Sequence, residues 1–302
     1  MWRDLLNVLT FQAGYNSNLV LLSTFVLGAA CGVIGSFVYL RKRALLSDAI
    51  SHATLPGVGL GFLAALALGL NDGRHLPTLM AGAALMALLG GLCVQWIKTN
   101  TRLNEDVAIG SVLSVFYGGG VVLLSIIQRL QAGSKAGLET FLLGQVSGLS
   151  ANESIIILVT CTLVAVAAIL LFKELTLICF DFSYAQSSGQ PYAKLDIALL
   201  ALMIVVVCVG LKTVGLVLIV ALLIIPPVTA RFWTDDMPRL VFLAAAFGAS
   251  SCFIGGALSA TLPNLPTGAT IVLTACVFFA FGFLFSPRRG ALSSFFRVRH
   301  AA

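Results

Sequence analysis

Nine apolar runs divide the chain, near residues 19–40, 45–70, 77–97, 107–127, 154–172, 196–211, 213–230, 239–262 and 267–286. A helix that crosses a membrane needs about 20 apolar residues at ~1.5 Å rise per residue. Runs of this length in series describe an all-α, polytopic transmembrane helical bundle. Composition agrees: hydrophobic residues make up 59% and charged residues 10%, against about 25% charged in a typical soluble domain. With a mean hydropathy of +1.03 over the chain, a soluble fold could not hide its apolar surface. Only Lys212-Thr213-Val214-Gly215 separates the sixth run from the seventh, so eight to nine spans are expected. Residues 138–149 are too short to cross and read as a re-entrant or interfacial helix.

Cations set the orientation. With Arg41-Lys42-Arg43 placed in the cytoplasm and nine spans alternating, thirteen Lys and Arg fall inside and five (Arg3, Arg74, Arg129, Lys135, Lys212) outside. This bias predicts the N-terminus out and the C-terminus in. The expected organisation is a short interfacial segment over 1–18, a transmembrane domain over 19–286 and a cytoplasmic tail over 287–302. In the first of these, Trp2, Leu5, Leu6, Leu9 and Phe11 form the apolar face of a short amphipathic helix. No cleavable signal peptide is expected there, since Arg3, Asp4 and several polar residues interrupt it. The net charge of +6 is dispersed between spans and does not indicate nucleic-acid binding. The seven cysteines lie in or beside apolar runs, without CxxC spacing, and read as packing residues.

Residues 41–62, RKRALLSDAISHATLPGVGLGF, carry the chemistry. Asp48 and His52 are four positions apart and share a helix face. Each is costly in a bilayer, by roughly 2.5–3.5 kcal/mol for Asp on insertion scales. Imidazole and carboxylate are ligands for divalent transition metals, and carboxylate oxygen suits Mn²⁺. Two ligands are too few for a selective site, whereas a symmetric dimer would bring four to its seam. Three readings fit the pair: metal ligands in a transport path, an intrahelical Asp–His interaction with Arg43 nearby, and a proton relay. Ser47 and Ser51 are expected to bond backbone carbonyls, and Pro56-Gly57 marks a bend or opening. His75 and His300 read as solvated.

Three further stretches stand out. Glu105 and Asp106 precede the fourth run, either as helix-capping residues or as an acidic lip at the inner mouth of a cation path. Pro226-Pro227 predicts a distorted inner end to the seventh span. In the loop 179–195, CFDFSYAQSSGQPYAKL, Asp181 can cap a short amphipathic helix over 182–188 that Gly189 and Pro191 end; the other reading is an ordinary turn. There is no Walker A sequence, GxxxxGK[ST], so an ATPase would have to be a separate chain. An intramembrane enzyme lacks support: there is no paired catalytic Asp motif, no HExxH and no Ser/His dyad in the spans. A proton-coupled secondary cation transporter is the alternative, and an importer of a metal chelate or vitamin would need a wider, less charged path.

LLSDAISHATLPGVGLGF resembles the second-span signature of the membrane permeases of ABC importers for manganese, zinc and iron. The resemblance extends, in family order, through NEDVAIGSVLSVFYGGGVVLLS (104–125), FLLGQVSGLS (141–150), FKELTLICFDFSYAQSSGQPYAKLD (172–196) and LKTVGLVLIVALLIIPPVTARF (211–232). It implies a transport subunit with no ATPase site and no permanently bound cofactor, one of two permease copies or close relatives in a bacterial inner membrane. Two ATPase subunits would bind ATP on the cytoplasmic side, and an extracytoplasmic binding protein would deliver the ion. Asp48 and His52 match the family's proposed path ligands for the transported metal. Phe182, Tyr184, Ala185 and Gly189 fall in the loop that matches its coupling helix. The spacing around Asp48 and His52 resembles manganese and iron permeases more than zinc permeases.

Overall fold

The computed structural model describes residues 14–69, 75–129, 146–180, 192–262, 265–286 and 290–291. Among them the chain forms ten α-helices and no strand. In order these are α1 (Tyr15–Leu40), α2 (Ala44–Ala67), α3 (Leu76–Asn100), α4 (Glu105–Arg129), α5 (Ala151–Leu170), α6 (Phe172–Phe180), α7 (Tyr192–Thr213), α8 (Leu216–Trp233), α9 (Met237–Thr261) and α10 (Thr267–Phe285). Eight are long and apolar enough to cross a membrane. The apolar α8 has 18 residues, about 27 Å of helix, so it accounts for the seventh expected run. The helices outrun several apolar runs because polar residues at a membrane surface still close backbone hydrogen bonds: α1 begins at Tyr15 and α7 at Tyr192.

The break between α7 and α8 falls where the sequence placed it. Gly215 has φ 92°, a left-handed conformation that a glycine adopts without penalty. The amides of Val214 and Gly215 both reach the carbonyl of Gly210, at 2.8 and 3.3 Å, which terminates α7. The proline pair does not end its helix. Pro226 and Pro227 lie inside α8, which continues to Trp233. They leave the carbonyls of Leu222 and Leu223 without their helical donors. The Thr229 hydroxyl donates to the carbonyl of Ile225 at 2.8 Å, and α1 comes up against the other side. A Cβ on Gly35 would stand 2.0 Å from the Leu223 oxygen, so a side chain on α1 is excluded there.

The chain divides into two compact units. The first comprises Met1–Lys42, Gln145–Leu199 and Ala221–Ala302. Its seam is the crossing of α1 and α9, backbone against backbone. A Cβ on Gly28 would lie 2.3 Å from the Gly248 carbonyl, one on Gly248 2.2 Å from the Gly28 carbonyl, and one on Gly32 2.2 Å from that of Ala244. Small residues four apart allow such close approach in lipid, where helices associate through packing. Leu27, Ile34 and Phe37 are fully buried beside this seam. A reciprocal capping box, Ser150 with Glu153, opens α5. Leu163 and Leu170 on α5 are left exposed, as side chains facing lipid would be.

The second unit comprises Arg43–Gly144 and Leu200–Val220. Here α2 packs along both α3 and α4. Gly57 and Gly82 meet reciprocally, each hypothetical Cβ 2.3 Å from the other's carbonyl oxygen. Gly120 of α4 presses on Leu55 and Pro56, where a Cβ would come within 2.7 and 2.9 Å. The middle of α2 is therefore gripped by two neighbours, and Pro56 sits inside a continuous helix. Cys31, Cys161, Cys208 and Cys252 are buried free thiols, in keeping with a packing role. The expected interfacial helix at 1–13, residues 138–145 of the expected re-entrant segment, the 182–188 helix and most of the tail lie outside the described residues. Of the re-entrant segment, Val146–Gly148 forms a single 3₁₀ turn.

Candidate metal-passage site

The first turns of α2 satisfy their own buried hydroxyls. Ser47 donates to the Ala44 carbonyl at 2.6 Å, Ser51 to Ser47 at 2.8 Å and Thr54 to Ser51 at 2.5 Å. All three side chains are fully buried, and the two serines bond backbone carbonyls as expected. Asp48 and His52, offset from this face, open outward. The Asp48 side chain is 38% and that of His52 20% exposed, with Asp48 Oδ1 3.4 Å from His52 Nε2. That spacing is well beyond the ~2.7–2.9 Å of a tight charge-assisted bond. Both groups therefore keep acceptor capacity for a third atom.

Two features around His52 were invisible in the sequence. The ring of Tyr117, on α4, meets the imidazole edge-to-face with centroids 5.0 Å apart and planes at 84°. This contact fixes the plane in which the imidazole lies. The Nδ1 atom is buried without a hydrogen-bond partner among the described residues. Pro56 also removes the amide that would bond the His52 carbonyl, four residues earlier. Tyr117 lies in the sequence FYGGG, where an aromatic in a span reads as packing or lipid contact, and only the packing of α4 on α2 brings it to His52.

The acidic residues at the start of α4 are split between two settings. Glu105 bridges Arg43, at 2.7 Å, and Lys98. Arg43 thus pairs with the first residue of α4. With two cations on one carboxylate, Glu105 ties the approaches to α2, α3 and α4 together. Asp106 is exposed in the first turn of α4. His75, expected to be solvated, is half-buried at the start of α3, where its carbonyl accepts from the Thr78 hydroxyl at 2.7 Å. Among the described residues no group of three or more His, Cys, Asp or Glu comes together as a metal site, and Asp48 and His52 stand there as a pair. Phe182, Tyr184, Ala185 and Gly189 lie outside the described residues, between the end of α6 and the start of α7.

The sequence profile of the ABC 3 transport family matches residues 16–286, nearly the whole chain. The protein belongs to this family. The manganese transport system membrane protein MntC of Bacillus subtilis (strain 168) is 41% identical over 283 residues, which is 94% of this chain and 64% of that relative. This ABC 3 chain therefore spans just under two thirds of that relative's length. The zinc transport system membrane protein TroC of Treponema pallidum (strain Nichols) is 36% identical over 288 residues, 95% of each chain. Among solved structures, PsaBC from Streptococcus pneumoniae in complex with Fab superposes with a TM-score of 0.81 at 29% identity, covering 99% of this chain and 100% of the other. The ABC 3 family member is a multi-pass membrane transport component. The proton-coupled secondary transporter finds no support in these similarities.

Proposed function

We propose that this chain is the permease subunit of an ATP-driven importer of divalent transition-metal ions, with manganese as the preferred cargo and zinc or iron as lesser ones. The observation that carries the reading is the Asp48–His52 pair, loosely spaced and partly exposed on an apolar helix, in a chain of the ABC 3 family. A carboxylate held open at this position costs free energy that ion passage explains. One oxygen and one nitrogen per chain suit Mn²⁺ or Fe²⁺, and a transport site needs only moderate affinity because the ion must leave.

A second permease copy completes the ligand set. The exposed side of α4 favours such a seam: Gly110, Gly118 and Gly119 have nothing within 4 Å of where a Cβ would stand, which is the kind of surface that helices in lipid pack against. ATPase subunits bind on the cytoplasmic side of a bacterial inner membrane, at the loop carrying Phe182, Tyr184, Ala185 and Gly189. An extracytoplasmic binding protein loads the outer mouth. ATP binding and hydrolysis shift a two-state arrangement of the permeases, and the metal site only holds and releases.

The test is uptake of radioactive manganese, with zinc and iron as competitors, by cells carrying this permease, its ATPase and its binding protein. Manganese entry that Asp48→Asn abolishes at unchanged membrane level is the expected result. Equal uptake by both forms would remove Asp48 from the path. Separately, Gly189→Trp is expected to abolish recovery of the ATPase with the permease, and recovery at normal yield would reject the docking assignment.

A further inference from the structure

Arg41, the residue after α1, reaches two segments that the sequence holds far apart. Its Nη1 donates to the carbonyl of Ile178 at 2.7 Å, in the last turn of α6. Its Nη2 donates to Asp196 Oδ1 at 2.6 Å, near the start of α7. The two side chains are only 11% and 7% exposed. Between these partners runs the stretch 179–195, so one planar guanidinium, with its donors in a fixed fork, holds both stems of the loop assigned to the ATPase.

The same end of α1 grips the first stem twice more. The Cys179 thiol points to the Phe37 carbonyl at 3.7 Å, and Phe37 packs edge-on against Phe172, with centroids 6.0 Å apart. An ion pair this buried is a poor device for stability alone, since desolvation offsets most of its attraction. What a forked, two-target contact supplies is a fixed spacing. Along the chain, Arg41 is followed by Lys42, at φ 58° the one non-glycine residue with positive φ among the described residues. Arg43 and then α2, with Asp48 and His52, come next.

We propose that Arg41 is a positioning residue for energy coupling: by holding Ile178 and Asp196 it sets the spacing of the ATPase-docking loop's stems and links that loop to the chain entering the metal-passage helix. This rests on the importer reading above. Without the clamp, the ATPase still docks and hydrolyses ATP, but its movement is not delivered to α2.

The experiment compares wild type, Arg41→Gln and the double variant Arg41→Met/Asp196→Leu, each reconstituted with ATPase and binding protein. The double variant removes both charges of this pair together, so neither is left buried facing an absent partner as in the single variant. Manganese uptake and ATP hydrolysis are measured per assembled complex. In both variants the ions moved per ATP are expected to fall about fivefold or more, as for loss of a typical coupling interaction, with the ATPase still bound. An unchanged ratio in the double variant overturns the proposal, and so does fewer complexes with normal turnover each, which is the mark of a purely structural pair. If the wild-type complex itself shows no ATP-dependent manganese uptake, the importer reading falls, and the clamp's role falls with it.

Discussion

At 3.4 Å from Asp48, His52 is near enough to share a cation and too far to be locked to the carboxylate. On the proposed importer reading, an arriving ion would take an oxygen and a nitrogen without first breaking a short bond. His52→Gln, which keeps a polar side chain without the imidazole, should reduce manganese uptake to background while membrane accumulation stays normal; an immunoblot beside the uptake assay checks both. Tyr117→Leu removes an aromatic contact of a kind worth about 0.5–1.5 kcal/mol, so initial uptake should fall roughly two- to tenfold, whereas Tyr117→Phe should stay near wild type. Arg43→Gln leaves Glu105 with Lys98 alone. It should lower stability by on the order of 1 kcal/mol, a figure kept small because Glu105 is partly solvated; the thermal-aggregation midpoint in detergent is the readout. The Asp48–His52 pair was legible as a candidate because two ionisable residues four apart in an apolar run violate the membrane's rule. Tyr117, Arg43 and Lys98 were not, because an aromatic or a loop cation breaks no local rule and acquires a partner only when helices pack.

The helices themselves were readable from run length, and the α7–α8 break from the Lys212–Gly215 interruption, since a glycine after a cation is a local stop signal. The sequence marked the proline pair as a disturbance of the helix, but not what packs against it: Gly35 of α1 lies so close to the Leu223 carbonyl that a side chain there is excluded. That neighbour comes from another helix, out of reach of local reasoning. The same glycine contacts predict sharp differences between neighbouring substitutions. Gly57→Leu drives a side chain into the Gly82 backbone and should cost more than about 4 kcal/mol, seen as loss of folded protein from the membrane. Gly118→Ile meets nothing within its own chain, so the single chain should accumulate normally while cross-linking to a second copy is lost.

For the molecule as a whole, the cation bias predicts a testable side for every loop. In a cysteine-free background, a cysteine at residue 73 should react with a membrane-impermeant maleimide on intact cells, and one at residue 102 only after permeabilisation. The reverse pattern would invert the orientation. The near-uniform helicity of the described chain has a spectroscopic corollary. Most peptide carbonyls inside its helices accept a helical hydrogen bond and absorb in one amide I band, but those of His52, Leu222 and Leu223 have prolines where their donors should be. A ¹³C label placed on the His52 carbonyl alone should therefore vibrate at higher frequency than the same label at Ile50. It would be a built-in optical probe within the residue proposed to meet the passing ion, expected to move when manganese arrives and to stay silent when only the ATPase turns over.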